Sequence, residues 1–163
     1  MKRSDLIPIK IFTVSQFLQQ LAQWRVHKTS IAFTNGVFDI LHPGHIFSLS
    51  QAAREADYLV VGVNADASVK RLKGDSRPVN NQDSRALLLA SLLVVDAVIL
   101  FEEDTPLELI RAVMPDVLVK GGDYTVEQIA GAKEVMAGGG RVVINPILEG
   151  FSTSQIIEQV KKS

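Results

Sequence analysis

The chain has 163 residues, enough for one domain, and 47% of them are apolar, enough to bury a layered core. With 17 basic and 18 acidic residues the formal net charge is −1, so no global field draws nucleic acid or an anionic membrane surface. Cysteine is absent, which removes disulfides, thiolate catalysis and zinc–thiolate sites.

Met1 to Lys10 is short and charged and has no apolar signal core. No apolar run reaches the roughly 18 residues that span a bilayer. The longest, Ala86 to Leu100, is interrupted by Ser91 and Asp96. A soluble, cytoplasmic protein with no membrane and no nucleic-acid partner is the expectation.

Residues 1–28 read as an N-terminal helical extension. Val14, Phe17, Leu18 and Leu21 follow helical spacing, and Thr13 with Gln16 can cap the helix. Residues 29–163 read as the domain proper. Its apolar runs are Ile31–Thr34, Tyr58–Val63, Ala97–Phe101, Val117–Val119 and Arg141–Ile144. They are continuous and β-branched, the pattern of strands buried on both faces.

Helix patterns alternate with them. Asn80 or Asn81 can start one through Arg85 to Val94, and Thr105-Pro106-Leu107-Glu108 can start another. Thr125 to Gln128 carries a capping box, with a stop at Gly138-Gly139-Gly140. Ser152 or Thr153 can start the last helix. The order predicts an α/β, Rossmann-like, doubly wound and mainly parallel five-stranded sheet with helices on both faces.

The most informative segment is Thr34-Asn35-Gly36-Val37-Phe38-Asp39-Ile40-Leu41-His42-Pro43-Gly44-His45. It lies at the carboxyl end of the first domain strand, where open parallel sheets bind ligands. Pro43 suits the first position of a helix, whose N-terminus favours phosphate. His42 and His45 are three apart and share one side of that first turn. Gly44 leaves the space between them open. Two imidazoles there can stabilise charge as pyrophosphate leaves. A metal pair would need a third ligand, and only His27 remains among histidines.

Further loops fall at the same edge. Asn64 and Asp66 follow the next strand, then Lys70, Lys73 and Arg77 in a basic loop with Gly74 and Pro78. These cations can neutralise phosphates. Arg85 reads equally as a surface residue or a ligand. Asp96 interrupts an apolar run and must be paired or capping. Lys120 to Tyr124 offers Lys120 for a phosphate and Asp123 for a sugar hydroxyl. Ser152 and Thr153 open a second helix N-terminus suited to distal phosphates.

The pattern Gly-x-Phe-Asp-x-x-His-x-Gly-His at Gly36 to His45 resembles the signature of the cytidylyltransferase-like nucleotidyltransferases. The longer strings Asn64-x-Asp66-x-Ser68-Val-Lys-Arg-Leu-Lys-Gly74, Phe101 to Pro106 and Lys120 to Tyr124 resemble D-glycero-β-D-manno-heptose 1-phosphate adenylyltransferases, over nearly the whole chain. That resemblance implies AMP transfer from ATP to the heptose 1-phosphate, with Mg²⁺ carried on the ATP phosphates and no protein-held metal. It also implies a domain that stands alone or is fused to a sugar kinase; a homodimer is the expected assembly. Ile147 and Leu148 stand where glycerol-phosphate cytidylyltransferases carry an Arg-Thr pair, which disfavours the alternative of a cytidylyltransferase for a small polyol or alcohol phosphate.

The site expected on this basis has His42, His45 and Lys73 as catalytic groups. Thr34, Asn35, Gly36, Phe38, Gly44, Asn64, Asp66, Arg77, Ser152 and Thr153 would hold the nucleotide. Asp39, Lys70, Lys120 and Asp123 would meet the sugar phosphate. A non-catalytic nucleotide-binding regulator would bind ATP without releasing pyrophosphate. A dinucleotide-binding dehydrogenase is disfavoured, because no Gly-x-Gly-x-x-Gly follows the first strand.

Overall fold

The computed structural model describes residues 4–162. Strands β1 (Ile11–Phe12), β2 (Ile31–Gly36), β3 (Tyr58–Asn64), β4 (Ala97–Phe101), β5 (Val117–Gly121) and β6 (Arg141–Asn145) form one parallel sheet in the order β1-β4-β3-β2-β5-β6. The chain builds outward from β2 through β3 and β4, then returns to lay β5 and β6 on the other side. This reversal beside β2 is the switch point at which such sheets open a ligand crevice.

Helices α1 (Val14–Val26), α2 (Pro43–Ala53), α3 (Asp66–Lys73), α4 (Gln82–Ala90), α5 (Leu107–Val113), α6 (Ala132–Ala137) and α7 (Thr153–Lys162) complete the fold. Strand alternation separates two cores. Ile31, Phe33, Val60 and Ile99 pack with Phe17, Leu21, Ile110 and Val135 on one face. Ala32, Val61, Val63 and Val98 pack with Leu49, Ala86 and Leu89 on the other. No helix among the described residues is long and apolar enough to cross a membrane.

The sheet has six strands instead of five because the N-terminal segment contributes one. Ile11 and Phe12 pair with Val98 and Ile99 of β4, and Lys10 Nζ donates to the Val95 carbonyl at 2.7 Å. Phe17 is fully buried. Residues 11–26 therefore pair into the sheet and pack on its core. Two residues of strand are too few to leave a periodic signal.

Local start signals fared unevenly. Thr13 and Gln16 form the reciprocal cap of α1, and Asn81 caps α4 by accepting from Ser84 N–H. Thr105 does not cap α5, which begins one residue after Pro106. The Thr125–Gln128 box closes only a 3₁₀ turn, and α6 starts later, at Ala132. Helix α4 ends at Ala90, short of Val94. Asp96 resolves as a strand-start cap, accepting from Leu59 N–H at 2.8 Å.

Candidate functional site

A cleft of about 450 Å³ opens over the carboxyl ends of β2 and β5. Its floor is the β2–α2 loop. His42 is the N-cap of α2 in extended backbone, and Pro43 occupies the first helical position. The helix dipole thus points its positive end into the cleft. A methyl group at Gly44 would lie 3.0 Å from the His42 ring and 3.3 Å from Phe151 Cβ, so glycine is what lets the ring and the next loop close in.

The two imidazoles are stacked, 3.8 Å between centroids and 21° from parallel. Phe38, at φ +50°, turns its ring back over Gly36 and meets His45 edge-on at 5.2 Å. Phe38 is buried and acts as the prop behind His45. Burial lowers both histidine pKa values. His45 falls to about 4 through burial and the proximity of His42, with the Ile40 carbonyl pulling weakly upward. Both Nδ1 atoms are buried without a hydrogen-bond partner. The two imidazoles are thus packed on each other beside a helix N-terminus, where burial opposes their protonation.

Three cations line the cleft. Lys73 ends α3 and Arg77 sits in the following loop, both from the β3 side. Lys120 comes from β5. Its pKa is lowered by desolvation, and its ammonium meets no carboxylate among the described residues. Its neighbours are Asn35 Oδ1 at 3.5 Å and the Tyr124 ring, 5.6 Å from centroid. A half-buried cation with so little compensation suits an anionic ligand.

The second helix N-terminus is present as well. Ser152 Oγ accepts from Gln155 N–H at 3.1 Å, and Thr153 Oγ1 donates to the Ile40 carbonyl at 3.3 Å, tying α7 to the β2–α2 loop. The hydroxyls therefore fix the loop as well as facing the cleft.

Of the residues expected from the sequence, Thr34, Asn35, Gly36, Phe38, Asp39, His42, Gly44, His45, Lys73, Arg77, Lys120, Ser152 and Thr153 line the cleft together. Asn64, Asp66, Lys70 and Asp123 do not. Asn64 is buried and donates to Ser68 Oγ at 3.0 Å. Asp66 pairs with Arg85 at 2.7 Å. Lys70 and Asp123 are exposed outside the lining.

Two assignments change character. Asp39 lines the cleft, yet its carboxylate is 1% exposed and already accepts from Arg77 Nε at 2.6 Å and from the N–H groups of Val79 and Asn80. Buried and engaged by three donors, it is not presented to a sugar hydroxyl. Burial pushes its pKa up, but these bonds outweigh it and hold the group below the usual carboxylate value. Arg85 is neither surface residue nor ligand. It is fully buried and donates to the carbonyls of Val37, Asn64 and Asn80.

Sequence reasoning overlooked Ser48, Tyr124, Phe151 and Ser154 as lining residues, and placed Ile147 and Leu148 only by comparison of motifs. Ser48 had a signal, because it lies three residues beyond His45 on the same helix face. The apolar wall of Ile147, Leu148 and Phe151 had none, because loop apolar residues carry no period.

A switch-point crevice, a His-x-Gly-His helix start and converging cations define a phosphate-handling α/β enzyme site, and residues 33–159 match the cytidylyltransferase-like family. The chain belongs to that family, a family of nucleotidyltransferases. Within it, the chain is 53% identical over 159 residues to the bifunctional protein HldE of Koribacter versatilis, covering 96% of this chain and 33% of that one. It is 54% identical over 143 residues to the bifunctional protein HldE of Rhodopseudomonas palustris strain HaA2, covering 88% and 29%. The chain thus spans about a third of the length of the curated relatives it matches.

Among solved structures, the lipopolysaccharide core biosynthesis protein from Thermoplasma volcanium is 33% identical with a TM-score of 0.59, over 74% of this chain and 97% of that one. The pantoate-β-alanine ligase from Francisella tularensis shares the fold, with a TM-score of 0.61 at 15% identity over 93% of this chain and 76% of that one.

Proposed function

We propose that the chain transfers AMP from ATP to D-glycero-β-D-manno-heptose 1-phosphate, giving ADP-heptose and pyrophosphate for the lipopolysaccharide core. The observation that carries the reading is the stacked, neutral His42–His45 pair on the α2 N-terminus, set between Lys73 and Arg77 on one flank and Lys120 on the other. The motif resemblance and the similarity to HldE proteins support the choice of sugar and nucleotide.

A phosphate oxygen of the sugar attacks the α-phosphorus of ATP in line. The new P–O bond forms as the bond to the bridging α–β oxygen breaks, and its electrons leave with pyrophosphate. The attacking oxygen is already anionic at neutral pH, so no strong base is needed. Positioning and charge stabilisation carry the rate. His42 and His45 donate to α-phosphate and bridging oxygens. Ile147, Leu148 and Phe151 offer an apolar wall to the base, and this reading moves Lys120, beside Tyr124, from the sugar phosphate to the nucleotide.

Mg²⁺ enters with ATP as part of the substrate. The cleft offers imidazole, ammonium, guanidinium and hydroxyl groups that suit phosphate, and its carboxylate, Asp39, is engaged by Arg77 and two amides. A cytoplasmic location follows from the need for ATP. A homodimer belongs to the same reading. Leu87, Leu88 and Leu93 are exposed around the end of α4 and give a second copy an apolar face, which light scattering tests.

The activity is tested by pyrophosphate release across ATP, CTP, GTP and UTP with a panel of sugar 1-phosphates. ATP with the heptose 1-phosphate should give the highest kcat/KM. A preference for CTP with a polyol phosphate, or nucleotide binding without pyrophosphate, would overturn the reading.

A further inference from the structure

The loop from Gly74 to Asn80 carries Arg77 into the cleft, and the β2–α2 loop holds it there. Asp39 takes three N–H donors through its carboxylate, from Arg77 Nε at 2.6 Å, Val79 at 2.8 Å and Asn80 at 2.9 Å. Its carbonyl accepts a fourth bond, from Asn80 Nδ2 at 2.7 Å. Arg77 is held at Nε alone. Its two terminal nitrogens have no hydrogen-bond partner among the described residues, and its side chain is 14% exposed and lines the cleft. Arg85 differs, since its nitrogens are spent on the carbonyls of Val37, Asn64 and Asn80 and on Asp66.

A guanidinium fixed at Nε, with its terminal edge unspent, is prepared for bidentate contact with a phosphate. The topology says which phosphate. The apolar wall and the α7 start follow β6, so the nucleotide lies on the β5–β6 side of β2. Arg77 arrives from the opposite side, in the loop after β3 and α3. In-line displacement puts the incoming phosphate and the departing pyrophosphate on opposite sides of the α-phosphorus.

We propose that Arg77 binds the phosphate of the acceptor sugar 1-phosphate, and that Asp39 is a positioning residue which never touches substrate but aims Arg77 at it. This rests on the nucleotidyl-transfer reading above, and it moves Arg77 from the nucleotide to the acceptor and Asp39 from substrate contact to support.

The test is calorimetric titration of the full chain, saturated with a non-hydrolysable ATP analogue and Mg²⁺, with the heptose 1-phosphate. Arg77→Ala and Asp39→Asn should each weaken sugar phosphate binding by about tenfold or more, the cost of a lost charge-assisted bidentate contact. The double variant should bind no worse than Arg77→Ala alone, since Asp39 acts through Arg77. Affinity for the ATP analogue should stay within about threefold. Losses that multiply in the double variant, an Asp39→Asn protein that binds as wild type, or an equal loss of ATP-analogue affinity each overturn the proposal.

If Asp39→Asn fails to fold, Arg77→Lys decides, because it keeps the charge and removes the fork. Wild-type affinity in that variant refutes the assignment. A wild-type chain that binds the ATP analogue but no sugar phosphate removes the functional reading instead, and the same cycle is then read with inorganic phosphate as the probe.

Discussion

His42 and His45 stack ring on ring at 3.8 Å, and the more buried of the two, His45, has its pKa lowered to about 4. A group protonated less readily folded than unfolded loses stability as pH falls. Here the unfolded chain takes up a proton near pH 6.5 while the native ring resists it down to about 4. The contribution is neutral above that window. Melting temperature should therefore fall between these pH values, and His45→Gln should flatten the slope. Asp39 does not confuse the reading, because its lowered pKa acts below the usual carboxylate value. An identical slope in His45→Gln would contradict the burial argument.

Lys120 should trade stability for binding. Its ammonium is desolvated with no carboxylate beside it, so Lys120→Met should leave the melting temperature unchanged or raise it. The same change should raise KM for ATP by about tenfold or more, as expected for a lost charged contact to phosphate. A clear fall in stability with normal KM would make Lys120 structural.

Arg85 should behave in the opposite way. It is fully buried, and its loss strands three carbonyls and Asp66. Arg85→Met should destabilise the fold by about 3 kcal/mol or more, read by urea unfolding. A loss below about 1 kcal/mol would show that the network relaxes at little cost.

Gly44→Ala tests the closeness of the floor. The added methyl meets the His42 ring at 3.0 Å, so the ring must give by a few tenths of an ångström. The protein should fold with near-normal stability and a depressed kcat. Unchanged turnover would mean that the ring position is not set by Gly44.

Much of this was legible in the chain. The five continuous apolar runs became strands because strands buried on both faces need no alternation. The His42–His45 spacing, with Pro43 between, fixed the helix start and the shared face. Other features were hidden for physical reasons. The two-residue strand β1 carries too little pattern, and its place comes from pairing with β4, 87 residues away in sequence as Ile11 meets Val98. Arg85 read as a surface residue or a ligand, since its carbonyl partners come from the β2–α2 loop, the end of β3 and the loop before α4. Asp39 and Arg77 each looked like substrate contacts, because the bond between them spans 38 residues. Charges that meet only in the folded chain cannot be assigned to ligand or framework from spacing alone.

In the proposed mechanism the imidazole pair stabilises the charge that develops as pyrophosphate leaves. Steady-state pyrophosphate release by His45→Ala, with ATP and the heptose 1-phosphate, tests it most directly. The variant should show a kcat lower by roughly 10²–10³, with KM for ATP changed far less and a cooperative melting transition retained. Near-normal kcat in the folded variant would contradict it.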